Sequence, residues 1–225
     1  MNIITANNRF ILPFMAPAKK YPHLPRIIIP VLLILGITAS IFVVRLVFFN
    51  KSKELPVLGE ANHTVGAFSF TNQDGQTFTD KDVAGKIRVA EYFFTTCPGI
   101  CPKMNTNLKS VYQAFKDQPD VVILSHTVDP VHDSVAVLKA YAGKYGVTDG
   151  RWQFLTGSKT ALYDVAAAEY LLAATGDTTS IDNQFIHTQH VALVDQQNRI
   201  RGFYDATDPK KVEQLIADIR VLEKQ

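Results

Sequence analysis

The amino-acid sequence predicts an α/β fold, a mixed β-sheet flanked by helices, preceded by a single membrane-spanning helix. Three observations predict it. An uncharged, mostly apolar run of 18 residues, Ile27–Val44, lies near the N-terminus. Beyond it, β-branched and aromatic runs alternate with segments of helical periodicity, ending in a hairpin and a final helix. The two cysteines of the chain, Cys97 and Cys101, fall where the first long strand pattern gives way to a helix.

The apolar run is followed by Arg45 and then by Leu46–Phe49. A spanning helix needs about 20 apolar residues, and an arginine near its end can extend its head to the interface. Pro30 is expected in the first helical turn, where a missing N–H is tolerated. A cleaved signal peptide has a shorter apolar region followed by small residues. Here Arg45, Phe48 and Phe49 follow, so a retained anchor is preferred. The resulting division is a cytoplasmic segment 1–26, a transmembrane anchor 27–49, a linker 50–63 and a folded domain 64–225. Basic residues flank the span on both sides, so the positive-inside bias is slight. An N-inside orientation puts the domain outside a cytoplasmic membrane, in a periplasmic or equivalent space. Residues 1–54 hold seven of the 23 Lys/Arg and one of the 21 Asp/Glu, which leaves the body mildly acidic. It carries no basic footprint for nucleic acid.

Within the body, Val65–Phe70 reads as a strand, Asn72-Gln73-Asp74-Gly75 as a turn, and Thr77–Thr79 as a short return strand. Ile87–Phe94 is a strong strand. Lys103–Phe115 places Leu108, Val111, Tyr112 and Phe115 at helical spacing. Val121–Val128 is a buried strand, and Ser134–Tyr145 a helix with Ser134 or Asp133 near its N-cap. Trp152–Leu155 is a short strand and Lys159–Leu172 an Ala-rich helix. Val191–Asp195 and Ile200–Tyr204 form a hairpin around Gln196-Gln197-Asn198. Asp208-Pro209 opens a last amphipathic helix through Val212, Leu215, Ile216 and Ile219. A cysteine pair directly after the first long strand fits a thioredoxin-like arrangement.

The segment Thr95-Thr96-Cys97-Pro98-Gly99-Ile100-Cys101-Pro102 carries the chemistry. A helix N-terminus offers unpaired N–H groups and partial positive charge, both of which stabilise a thiolate. Residues four apart share one side of a helical turn. The three-residue gap, one longer than the usual redox spacing, can close a disulfide and also suits two thiolates around a metal. Two thiolates favour soft ions: copper(I), zinc or iron–sulfur. With two cysteines, a four-cysteine cluster within one chain is excluded, and a third ligand has to be His or Met. A purely stabilising disulfide is a weaker reading, because closing so short a loop constrains the unfolded chain little.

The string FFTTCPGICPKM, Phe93–Met104, resembles the Sco/SenC family. These are membrane-anchored, thioredoxin-fold copper proteins that assist assembly of the CuA centre of cytochrome c oxidase. The similarity extends through Asp74-Gly75, Gly85-Lys86, Val128-Asp129-Pro130 with Asp133, Leu155-Thr156-Gly157 and His187-Thr188, over roughly residues 65–205. Gly99 departs from the family, which more often has Asp there at a position that is not a ligand. The resemblance implies copper, as Cu(I) or Cu(II), held by Cys97, Cys101 and His187. It also implies a partner, either cytochrome c oxidase subunit II or another copper chaperone. Two thiolates and an imidazole suit copper(I) and can hold copper(II). Binding then requires reduced sulfurs and a neutral His187.

His190 lies three residues from His187 and, on an extended strand, points to the opposite face. His187 is therefore chosen. His126 is expected to be packed or hydrogen-bonded, Met104 to pack within its helix, and His132, His63 and His23 to be exposed or in linkers. Asp129 and Asp133 match the family's acidic pair, for steering a partner, orienting a site residue or capping a loop. Two functions remain. One is a copper metallochaperone, which is not an enzyme. The other is a thiol–disulfide oxidoreductase in which Cys97 and Cys101 are the redox pair. A peroxiredoxin-type peroxidase lacks its threonine at the required spacing before Cys97. A Cys₂His zinc site is chemically feasible but lacks an accompanying cofactor segment, and no hydrolytic triad or phosphate loop is present.

Overall fold

The structure is a computed structural model and describes residues 24–49, 54–172 and 188–225. The chain divides into two units, Met1–Ser52 and Lys53–Gln225. In the first unit, helix α1 (Leu24–Phe49) contains the expected apolar run. Its Ile28–Arg45 stretch has a mean hydropathy of 2.4, long and apolar enough to cross a membrane. The large apolar side chains along that stretch are exposed. Pro30 lies inside the helix rather than in its first turn, because α1 begins three residues before Ile27. It removes one main-chain hydrogen bond and favours a bend there.

The second unit is built on seven strands: β1 (Ser69–Asn72), β2 (Thr77–Thr79), β3 (Ile87–Phe93), β4 (Val121–Thr127), β5 (Trp152–Thr156), β6 (His190–Val194) and β7 (Ile200–Asp205). They form one sheet in the order β2-β1-β5-β4-β3-β6-β7. Strands β3, β4 and β5 run parallel, and every other pairing is antiparallel. Every residue of β3 and β4 is buried, as expected of central parallel strands covered on both faces. Helices α2 (Ile100–Ala114), α3 (Val135–Tyr145) and α5 (Pro209–Leu222) cover one face, where Ile87, Val89, Phe93, Ile123, Trp152 and Leu193 meet Met104, Leu108, Leu138 and Leu215. Helix α4 (Lys159–Asp164) and the segment around Phe68 and Phe70 cover the other, against Ala90, Tyr92, Leu124 and Val194. The predicted mixed sheet flanked by helices is the observed fold. Its parallel register brings the C-terminal ends of β3, β4 and β5 to one edge, the common place for sites in such sheets.

Local chemistry explains the turns. Asn72 Oδ1 accepts from the N–H groups of Asp74 (3.0 Å) and Gln76 (2.9 Å), and Gly75 takes φ 76°, so the β1–β2 hairpin closes on its Asp-Gly dipeptide. Asp208 Oδ1 accepts from Lys210 N–H at 2.9 Å, with Pro209 as the first helical residue of α5. At α3 the N-cap residue is Ser134, but no side-chain bond caps the helix. The Asp133 carboxylate is engaged elsewhere, as described below.

Three elements differ from expectation. The strand read from Val65 begins at Ser69. Upstream of it, Val65 N–H donates to Asn198 O (2.8 Å) in the β6–β7 turn, and Gly66 N–H to Glu169 Oε2 (2.5 Å). The helix read over Lys159–Leu172 is α-helical to Asp164 and then widens into a π turn over Val165–Glu169. Leu162, Val165, Ala166 and Tyr170 pack in the core on that side, and Tyr170 N–H bonds Val165 O at 2.9 Å across the wide turn. The expected linker 50–63 is partly folded onto the body. Leu55 is buried, and Leu58 N–H bonds to Ile200 O at 2.8 Å. The buried Arg201 guanidinium donates to the carbonyls of Leu55 (2.5 Å) and Pro56 (2.9 Å) while pairing with Asp195 at 2.7 Å. These are main-chain contacts, to which a hydrophobic pattern is blind.

Candidate dithiol site

β3 ends at Phe93, and the chain turns through Phe94–Gly99 into α2. The Cys97 N–H closes that turn on Phe94 O at 3.2 Å. Helix α2 begins at Ile100, three residues before the predicted start, which places Cys101 in its first turn. The helix thus aims its free N–H groups at Cys97, and Cys101 N–H donates to Cys97 Sγ at 3.4 Å. Both cysteines are free and buried, 7% and 3% exposed.

The two thiols are made unequal. Burial works against ionisation of Cys97. Hydrogen bonds from Cys101 and from the N–H groups of Gly99, Ile100 and Cys101 outweigh it and lower its pKa. Burial raises Cys101 far above the usual thiol range, and donating its proton to Cys97 adds to this. The reduced pair therefore holds a charge-stabilised outer sulfur and a protonated inner one. A Cβ at Gly99 would meet nothing within 4 Å, so the Asp more usual there in the resemblance has room.

The remaining sequence candidates separate clearly. His187 lies outside the described residues. His190, the first residue of β6, is exposed and pairs with Asp205 across the ladder. Its neighbours Val191 and Leu193 belong to the cysteine-side core, whereas Ala192 and Val194 belong to the opposite one. His190 shares the parity of the latter. His126 is fully buried on that same far side, stacked on Tyr92 at 4.9 Å and edge-on to Phe70 at 5.6 Å. Burial depresses its pKa to about 4, so it is a neutral core histidine. Met104 is fully buried in the cysteine-side core. Among the described residues, no three His, Cys, Asp or Glu side chains gather as a metal site.

The acidic pair has distinct placements. Asp129 receives His132 N–H at 3.4 Å, and its own N–H bonds Thr127 Oγ1 at 3.0 Å, which shapes the loop after β4. Asp133 is fully buried. Its carboxylate accepts from the Thr95 N–H (3.1 Å), the Thr95 hydroxyl, the Thr127 hydroxyl (2.5 Å) and His132 Nδ1 (3.2 Å).

Two buried polar groups on the cysteine side escaped the sequence reading. Glu91, fully buried on β3, accepts from the Ser125 hydroxyl, which in turn accepts from Trp152 Nε1 at 2.8 Å. Burial raises its carboxyl to about 8 against the opposing Ser125 bond. Asn105 on α2 donates to Cys101 O at 3.0 Å and to the Tyr141 hydroxyl at 3.3 Å. The signal for Glu91 was available: it is an acid inside the otherwise apolar segment Val89–Phe94.

A dithiol of CxxxC spacing at the strand-to-helix junction of a mixed sheet defines a thioredoxin-like protein with an asymmetric cysteine pair. The chain belongs to the SCO1/SenC family, whose family model matches residues 57–223. A SCO1 protein homolog of Bacillus subtilis is 29% identical over 160 residues, covering 71% of this chain and 82% of that protein. Among solved structures, BsSco, described as a member of the Sco family of cytochrome c oxidase assembly proteins with a disulfide switch, is 27% identical. Its TM-score is 0.61, over 74% of this chain and 96% of that one. Copper-bound ScoI of Bradyrhizobium japonicum is 27% identical with a TM-score of 0.56, over 71% and 99%.

Proposed function

We propose that this chain is a membrane-anchored copper metallochaperone that assists assembly of the CuA centre of cytochrome c oxidase. Cys97, Cys101 and His187 would be its copper ligands. The observation that carries the reading is the buried, reduced pair with Cys101 N–H on Cys97 Sγ, in a chain of the SCO1/SenC family similar to a copper-bound ScoI. The donor chemistry fits copper as cargo. Cys97 presents a stabilised thiolate, and Cys101 gives up its proton as it becomes the second sulfur ligand. His187, seven residues before the end of β6 at Val194, supplies the imidazole. Helix α1 anchors the body at the cytoplasmic membrane, on its outer side. The recipient is the oxidase's copper-bearing subunit II or another copper chaperone.

A second reading is favoured by the inequality of the thiols. As a thiol–disulfide oxidoreductase, Cys97 thiolate attacks a partner disulfide and releases one partner thiolate. Cys101 then loses its proton and displaces the other. The partner gains two electrons, and a Cys97–Cys101 disulfide is left behind.

Metal analysis of the reduced full chain in detergent, with a copper(II) absorption spectrum, tests the first reading. One equivalent of copper is expected, with a sulfur-to-copper charge-transfer band that vanishes in Cys97→Ser, Cys101→Ser and His187→Ala. Failure to take up stoichiometric copper overturns it. His187→Ala separates the two readings: it abolishes copper uptake under the first and leaves disulfide exchange intact under the second, which needs only Cys97 and Cys101.

A further inference from the structure

We propose that Asp133 is the positioning residue of the cysteine site, a role that rests on the copper reading for its cargo but not for its geometry. Thr95 lies two residues before Cys97. Both its N–H and its hydroxyl end on Asp133, whose carboxylate is also tied to the Thr127 hydroxyl at the end of β4. The Thr95–Gly99 turn is therefore fixed at one end by Asp133 and at the other by the first turn of α2. Helix α2 has Gly99 as N-cap and no side-chain cap of its own. The distance between Cys97 Sγ and the Cys101 N–H depends on both ends being held.

The site requires a carboxylate at this position. Two oxygens offer four lone-pair positions, and four donors fill them: Thr95 N–H, Thr95 hydroxyl, Thr127 hydroxyl and His132 Nδ1. An asparagine replaces one accepting oxygen with an NH₂ group facing donors, in a place fully closed to water. His132 and Asp129 belong to the same loop. The segment from Thr127 to Asp133 thus forms a brace between the end of β4, the start of α3 and the cysteine turn. Partners that orient metal ligands from behind typically change affinity 10- to 100-fold when lost.

The test compares wild type, Asp133→Asn and Asp149→Asn as full-length, reduced protein in detergent. Asp149 carries an exposed-edge ion pair to Arg151 (2.7 Å) in the loop before β5, away from the cysteine turn. Three quantities are read: copper(I) affinity by competition with a chromogenic chelator, the dithiol–disulfide equilibrium of the metal-free chain against glutathione, and the melting temperature. Asp133→Asn is expected to weaken copper(I) at least tenfold and to shift the dithiol–disulfide constant at least tenfold. Asp149→Asn lowers only the melting temperature. If Asp133→Asn behaves like Asp149→Asn, the positioning role is overturned. If Asp133→Asn does not fold, Thr95→Val, which loses one of the two Thr95 bonds, decides by the same readouts, and unchanged values overturn the role. If wild type takes up no copper, the copper reading fails. The glutathione equilibrium of the metal-free chain then decides the positioning role by itself.

Discussion

Replacing Glu91 with Gln removes a buried proton-binding site beneath the cysteine face while keeping the side chain's shape and its bond from Ser125. The carboxyl is fully buried on β3 and held at about 8, against 4.5 for the unfolded chain. Between those two values the folded chain keeps the proton and the unfolded chain releases it. The folded state binds more protons in that window, so its stability is fully present below pH 4.5 and is lost as pH rises through 8. The gap is worth about 5 kcal/mol over the whole window. For a body of this size each kcal/mol moves the melting temperature by about 2–4 °C. The loss is therefore on the order of 10 °C or more. Thermal melts of the reduced full chain in detergent, followed by far-ultraviolet circular dichroism between pH 5 and 8.5, read it directly. Subtracting the variant's profile from that of wild type cancels every other titrating group. The difference should fall steadily across the window. Parallel profiles for the two proteins would refute the assignment of a protonated, buried Glu91.

Other consequences can be checked alongside the copper and positioning experiments above. His126, held at about 4 against an ordinary 6.5, is neutral in the fold, so the unfolded chain takes up the extra proton. Its contribution is present above pH 6.5 and disappears as pH falls to about 4, and His126→Phe should abolish about 3 kcal/mol of that acid loss in urea titrations at pH 7 and 4.5. Arg201→Met leaves Asp195 buried with only Arg199 beside it and strips the Leu55 and Pro56 carbonyls of their donors. A loss of about 3–5 kcal/mol is expected, read as a lower melting temperature together with faster proteolytic cleavage near residues 54–58. Cleavage at the wild-type rate would show that the guanidinium does not hold that segment.

The sequence pattern revealed the parts of the molecule whose signals are local. β3 and β4 read as strands rich in β-branched and aromatic residues, and both of their faces are covered. Asp74-Gly75, Asp208-Pro209 and the cysteine pair each stand where the chain must turn or start a helix. The packing of His126 was also within reach, because it sits on a strand among buried neighbours. Features that depend on distant partners were hidden. The π turn after Asp164 was hidden as well: Leu162, Val165, Ala166 and Tyr170 keep the spacing of a regular helix face, so periodicity over Lys159–Leu172 reads as continuous α-helix and gives no sign of the wider turn. The linker read over 50–63 looks like a tether because Pro56 and Gly59 interrupt it, while its attachment runs through the main-chain carbonyls of Leu55 and Pro56 to Arg201. At the site, the two cysteines were legible from spacing. The fourfold engagement of Asp133 was not, because three of its four contacts come from Thr127 and Thr95, 6 and 38 residues away.

The attachment of residues 55–58 also has a mechanical meaning. A pull applied to the chain ahead of Leu55 is borne first by the Arg201 guanidinium, then by the Leu58–Ile200 bridge. Both deliver the load to β7. From there it passes through the β6 ladder into β3, strand by adjacent strand. β3 is the strand whose last residues lead into Thr95 and Cys97. Three neighbouring strands thus lie between residues 55–58 and the cysteine turn, and Arg201, on β7, is the side chain through which such a force would enter.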